Sequence, residues 1–193
     1  MNLQITRQTE YSRGDLLLRT FFGWAYIGIP HMFLLCIYSI GLSIANILTF
    51  WIILFTGVYP KNFFDFTVQY YKWYLRLTAT LYNLVDGYPA LGLNGDSDKV
   101  KFEVTYPESV GRGTLLVRYI FGPLMCIPHL IALEFRMIAT AVIAGISFWI
   151  ILFTGNFPEG MHAFQVGTLR WMMRITTYLG VMHNDYPPFS GKE

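Results

Sequence analysis

The sequence predicts an all-α integral membrane protein built from two tandem copies of one unit, and three observations carry that prediction. Only 13% of the 193 residues are charged and 54% are hydrophobic, whereas a soluble domain carries roughly 25% charged residues. Two apolar stretches exceed the ~18 residues that signal a membrane span. Leu16 to Gly57 contains Arg19 as its single charge, and Gly113 to Gly155 contains only Arg118, Glu134 and Arg136. Finally, FWIILFTG stands at 50–57 and again at 148–155, each copy followed after two residues by proline.

The repetition extends well past the octamer. Sliding the chain by 98 residues, the step from 50 to 148, lays Pro30-His31 on Pro128-His129, Trp73 on Trp171, Arg76 on Arg174 and Tyr88-Pro89 on Tyr186-Pro187. Lys72 falls on Arg170 with its charge preserved. One further residue of slip lays Arg19 on Arg118, Gly23 on Gly122 and NLQIT (2–6) on KFEVT (101–105). The units are therefore residues 1–98 and 99–193.

Each unit reads in the same order. It opens on a short alternating stretch (Leu3, Ile5; then Val100, Phe102, Val104, Tyr106), whose period of two predicts a strand outside the membrane. The apolar run follows, interrupted once by Pro-His. Two threadings fit its length. In one, a helical hairpin is kinked or turned at Pro-His and the next helix lies flat in the interface. In the other, the first limb lies flat and the next helix crosses back. Charge favours the hairpin, which places every Lys and Arg except Arg136 on one side, as the positive-inside tendency asks. The run ends at Thr-Gly, then proline two residues on: a helix stop and a helix start. Last comes an amphipathic helix, KNFFDFTVQYYKWYLRLTATLYNLV in the first unit. Its polar residues recur at helical spacing on an otherwise aromatic surface, a pattern at home in the membrane interface.

The stretches VTYPESVGRG, IPHLIAL, ILFTGNFPEGMHAF, LRWMMRITTYL and NDYPPFSG resemble a bacterial membrane family catalogued as domain of unknown function 4389, with a paler version of each in the first unit. The resemblance covers both units. It departs at DGYPALG, where the first unit lacks the YPPF form. It implies a bacterial membrane location; the apolar runs and the charge distribution lead to the expectation of a multi-pass protein of the cytoplasmic membrane with cytoplasmic termini. The resemblance carries no activity.

Candidate residues follow from these patterns. Lys72, Trp73 and Arg76, with Arg170, Trp171 and Arg174, place two cations four residues apart beside an indole; the expected role is contact with anionic lipid headgroups or a partner. Glu134 and Arg136 have no charged counterparts in the first unit and are candidates for partner or ion contact. His31 and His129 are expected at the Pro-His turns as boundary residues. As metal ligands they lack a third donor nearby. Ser43 (GLSIA) and Ser147 (GISFW) do not form the G-x-S-x-G elbow of a serine hydrolase, and no other catalytic constellation, metal cluster or nucleotide loop stands out, so neither catalysis nor a cofactor is expected. Cys36 and Cys126 lie within the apolar runs and read as apolar filler. A net charge of +2 without a Lys/Arg block gives no footprint for nucleic acid. The polar N-terminus is expected to stay attached.

The expected function is that of a non-catalytic accessory or scaffold subunit, contacting membrane lipids and either a larger membrane complex or further copies of itself. Two alternatives stay open. A small transporter or channel would draw on Ser39, Ser43, Asn46, Thr49, Thr140 and Ser147; a membrane-shaping protein would use shallow hairpins and in-plane helices.

Overall fold

A computed structural model describes residues 1–192. The period-two stretches form strands β1 (Asn2–Ile5) and β2 (Val100–Glu103), which pair antiparallel. Leu3 pairs with Phe102 and Ile5 with Val100, all four buried, while Asn2, Gln4, Lys101 and Glu103 are exposed. This register maps onto itself when the halves are exchanged, because Leu3 and Phe102 are equivalent positions. The strand pair thus lies on a local twofold.

The first apolar run forms α1 (Arg13–Gly23), a π-helical segment (Trp24–Gly28) and α2 (Ile29–Thr56). These join into one helical element of 44 residues, Arg13–Thr56. The Ser12 hydroxyl caps its start by accepting from the Asp15 N–H at 3.2 Å. The second run is a single helix, α4 (Arg112–Thr154), of 43 residues. Each is on the order of 65 Å along its path at about 1.5 Å per residue.

The expected turn at Pro-His does not form. Proline removes one ladder hydrogen bond and crowds the preceding turn, but a helix survives this where a local adjustment absorbs it. In the first half the wider π turn immediately before Pro30 does so, closed by the Ile29 N–H donating to Trp24 O. In the second half Pro123 and Pro128 both lie inside an unbroken helix. Nor does α1 fold back along α2, as a hairpin requires.

The repeated octamer ends both long helices in the same way. Gly57 and Gly155 take the left-handed conformation at φ 75° and 72°, and their N–H groups return to Ile53 O and Ile151 O, both at 2.7 Å. The Thr56 and Thr154 hydroxyls accept from the N–H groups of Val58 and Asn156, both at 3.1 Å. Each end is then met by the other half. Val110 N–H donates to Gly57 O and Tyr11 N–H to Gly155 O, both at 2.8 Å, while Arg112 donates to Phe55 O and Arg13 to Phe153 O. The chain spells FTG twice because two reciprocal junctions need the same cap.

Helices α3 (Lys61–Leu81) and α5 (Glu159–Leu179) run back antiparallel along their own long helices. Arg19 meets Asn83, His31 meets Trp73, and Gly41 lies against the Phe66 ring. Ile53 shares a cluster with Tyr59 and Phe64. A central cluster from both halves joins Leu3, Phe102, Leu75, Ala79, Val166 and Leu169, so the strand pair covers α3 and α5. The long helices remain largely bare. The most apolar 18-residue stretch of each is only 17% buried, and large apolar side chains stay exposed along their whole length, from Phe21 through Phe33, Ile44 and Phe55, and from Ile120 through Phe135 to Phe153.

Candidate functional site

In each long helix the inner face repeats at helical spacing: Leu16, Arg19, Gly23, Ile27, His31 and Leu35, then Leu115, Arg118, Gly122, Cys126, His129 and Leu133, all buried. That face carries a buried arginine and a buried histidine in each half, and the paired helix satisfies them. Arg19 donates to Asn83 Oδ1 at 2.7 Å and to Val85 O at 3.2 Å, and forms an ion pair with Asp86 at 3.4 Å. Arg118 donates to the carbonyls of Asn184, Tyr178 and His183, and its guanidinium lies 4.4 Å from the centre of the Tyr178 ring. Both arginines pin the C-terminal end of the amphipathic helix to the long helix. Arg19 is 5% exposed, so it does not snorkel at the base of the first limb.

The histidines are equally enclosed, at 0% exposure. Trp73 Nε1–H donates to His31 Nδ1 at 2.9 Å, and Trp171 Nε1–H donates to His129 Nδ1 at 3.0 Å. An indole N–H only donates, so Nδ1 of each imidazole accepts and the neutral ring carries its proton on Nε2. In the second half that proton is used. His129 Nε2 lies 2.9 Å from the Tyr186 hydroxyl, which donates in turn to Met125 O at 2.8 Å, in the turn before Pro128. Phe189 stacks on the imidazole at 3.7 Å and 13°. Pro-His, Arg-Trp and Tyr-Pro-Pro-Phe, distant in sequence, are therefore one histidine-centred aromatic cluster. In the first half Tyr88 lies against His31, with ring centres 5.3 Å apart, but His31 Nε2 has no partner among the described residues and Leu91 occupies the position of Phe189. The paler motif corresponds to a less complete cluster.

Of the two cation–indole sets expected to contact headgroups or a partner, Trp73, Arg76, Arg170 and Trp171 are buried, and Lys72 and Arg174 are half-buried. Trp73 is 0% exposed and Trp171 6%, too enclosed to touch lipid. Arg76 donates to Gly92 O at 2.7 Å and Ala90 O at 3.3 Å. Arg174 donates to Ser190 O at 3.0 Å. These arginines hold the straps that follow α3 and α5. Arg170 reaches Leu3 O in β1 at 3.0 Å and Gly191 O at 2.8 Å. Lys72, its counterpart, is half-buried in a groove beside Phe102 and Glu103. The strand pair covers only part of this surface, offering Leu3 O to Arg170 and lying beside Lys72, whereas His31 and His129 of the long helices enclose the indoles and the straps hold Arg76 and Arg174.

Glu134 and Arg136 are not brought together. Arg136 donates to Thr168 Oγ1 at 2.8 Å and Phe164 O at 3.1 Å, tying α4 to α5. Glu134 is exposed among Leu130, Ile131, Phe135 and Ile138, all exposed apolar side chains. Chemically the interior holds helices together. No group of three or more His, Cys, Asp or Glu side chains converges among the described residues, and the imidazole Nδ1 atoms are already bonded to indoles. No curated protein and no solved structure matches the chain. Residues 112–191, from the start of α4 to the strap after α5, match the family model described as Domain of unknown function (DUF4389).

Proposed function

We propose that the protein is a non-catalytic scaffold or accessory subunit embedded in a bacterial cytoplasmic membrane, formed from two tandem copies of the DUF4389 unit with cytoplasmic termini. The observation that carries this reading is the inverted distribution of polarity. Arg19, Arg76, Arg118, Arg170, His31, His129, His162 and Gln165 are buried, while the long helices expose large apolar side chains from end to end. Water-soluble monomers rarely expose apolar patches beyond a few hundred Å², whereas lipid or a membrane partner accepts such a surface. Glu134, an exposed carboxylate on that surface, suits a partner's polar group better than hydrocarbon. Four of the hydroxyls that a transport path would use, all but that of Thr49, are engaged locally. Ser39, Ser43 and Ser147 bond carbonyls of their own helices, and Thr140 bonds Thr168.

Tagged purification from native membranes in mild detergent, with mass spectrometry of co-purifying proteins, tests this. A stoichiometric membrane partner, lost on Glu134→Ala, supports the accessory role; a clean homo-oligomer contradicts it. Helix length favours membrane shaping as a second reading. A 44-residue apolar element is about twice as long as a core of about 30 Å requires, so it lies strongly inclined or bent and displaces lipid over a wide area. Liposomes that tubulate at high protein loading support that role, and vesicles of unchanged shape count against it.

A further inference from the structure

We propose that the cleft between the C-terminal part of α2, the start of α4 and the end of α5 binds the head of an uncharged, oxygen-bearing lipid of the acylglycerol class; this rests on the membrane-embedded reading above. The cleft has a volume of about 330 Å³, at the small end of ligand pockets. It can take a glycerol ester head while the chains run out along exposed Ile47 and Trp51. Its lining is neutral, with no Lys, Arg, His, Asp or Glu side chain. A phosphate head would enter without a counter-charge, which is strongly unfavourable away from water.

Polar groups nevertheless converge there. Asn46, Thr49, Tyr71 and Tyr119 line the cleft. The Thr49 hydroxyl is buried next to the Tyr59 phenol and forms no well-aligned hydrogen bond among the described residues. Asn46 and the two phenols supply further donors and acceptors, and the Tyr119 ring closes one wall against Phe50 at 4.4 Å. A buried hydroxyl without a well-aligned bond lowers stability, and a ligand with ester and hydroxyl oxygens complements Thr49 and the half-buried Asn46 and Tyr71 beside it.

The other half shows that this is not the necessary outcome of the fold. At the equivalent positions stand Ala144, Ser147, Leu169 and Thr20. Gly180, which opens the cleft, corresponds to Tyr82, a side chain packed against the central cluster. The backbones of the two are alike, φ −72° and ψ 5° at Gly180 against φ −87° and ψ 9° at Tyr82. Gly180 is therefore not required by backbone conformation; what it supplies is space. Gly180→Tyr restores the first half's residue in a conformation that accepts it.

The test uses the full chain in phosphatidylcholine nanodiscs with a trace of diacylglycerol carrying a diazirine near the glycerol. A parallel arm carries phosphatidylglycerol with the same chains and diazirine. Crosslinked peptides are mapped by mass spectrometry. Diacylglycerol should label the segments bearing Asn46, Tyr71 and Tyr119, with labelling at least tenfold weaker in Gly180→Tyr and severalfold weaker in Asn46→Ala. Phosphatidylglycerol should leave them unlabelled. Equal labelling by both probes, labelling unchanged by the substitutions, or no cleft labelling overturns the proposal; if Gly180→Tyr does not fold, Asn46→Ala decides. A chain-labelled phosphatidylcholine probe on the Phe121 and Leu124 face separates the two claims. If that face is labelled and the cleft is not, only the cleft proposal fails; if neither is labelled, the membrane reading fails as well.

Discussion

Replacing Tyr186 by Phe removes one hydroxyl and leaves the ring in place, which isolates the hydrogen-bond chain that closes the second-half cluster. The hydroxyl accepts from His129 Nε2 at 2.9 Å and donates to Met125 O at 2.8 Å. His129 is fully buried and its Nδ1 is held by Trp171, so its Nε2–H cannot find another partner by changing tautomer. An unpaired buried donor costs about 1–3 kcal/mol. The phenol lies near the surface, which places the loss at about 1–2 kcal/mol, or roughly 2–8 °C in Tm for a chain of this size. The internal control is Tyr88→Phe. The Tyr88 ring lies against His31, but its hydroxyl bonds to nothing among the described residues, so the change should stay within about 0.5 kcal/mol. Thermal unfolding in one detergent, with both variants side by side, gives the comparison. Equal shifts in the two variants, or no shift in Tyr186→Phe, would refute the assigned hydrogen-bond chain.

Other perturbations probe the remaining buried groups. Asp86→Ala strips Arg19 of its ion-pair partner, with the two side chains 4% and 10% exposed, and should destabilise by about 3–5 kcal/mol in chemical denaturation; a loss below about 1 kcal/mol would mean that Asn83 and the Val85 carbonyl suffice. His162 gives a pH signature. Burial, and then the nearby Arg7 charge, pull its pKa from 6.5 down to about 4 against a hydrogen bond with the Leu84 backbone. The unfolded chain takes up a proton near pH 6.5 that the folded chain refuses until about pH 4. This contribution to stability is therefore complete above pH 6.5 and is lost as the pH falls toward 4, by on the order of 3 kcal/mol. His162→Phe, which installs the counterpart residue of Phe64, should flatten that acid limb. An unchanged pH profile would place the titrating group elsewhere.

How far the fold could be read from the sequence depended on which forces were local. The strands, the Thr-Gly-x-[Tyr/Phe]-Pro helix ends and the amphipathic character of α3 and α5 are written in neighbouring residues and form, although β2 stops at Glu103, short of Val104 and Tyr106. Pro30 and Pro128 taken by themselves suggest a hairpin that the chain does not form. Whether a proline turns a chain depends on what lies alongside, and the long companion helices support both limbs. The enclosure of Trp73, Arg76, Arg170 and Trp171 is not legible for a related reason: their acceptors (His31, Ala90, Gly92, Leu3, Gly191 and His129) lie 14 to 167 positions away. The buried arginines left a signal that could have been used. Arg19 stands four residues before Gly23 and twelve before His31, on the face that repeats in both halves, and Arg118 stands four residues before Gly122. A charge on a helix face shared with glycine and histidine is better explained by a buried partner than by the membrane boundary.

The most direct test of the central claim is the distance across one long helix in a lipid bilayer. Spin labels at Leu17 and Phe55, both exposed, can be measured by pulsed electron paramagnetic resonance in nanodiscs, with Leu116 and Phe153 as the matching pair on α4. A straight helix between Leu17 and Phe55 spans about 57 Å at 1.5 Å per residue, and even a right-angle bend at Pro30 leaves about 40 Å. An unbroken, lipid-exposed helix predicts a single distribution within that range for each pair. A distance below about 25 Å would mean that the chain turns back at Pro-His, and it would contradict the account.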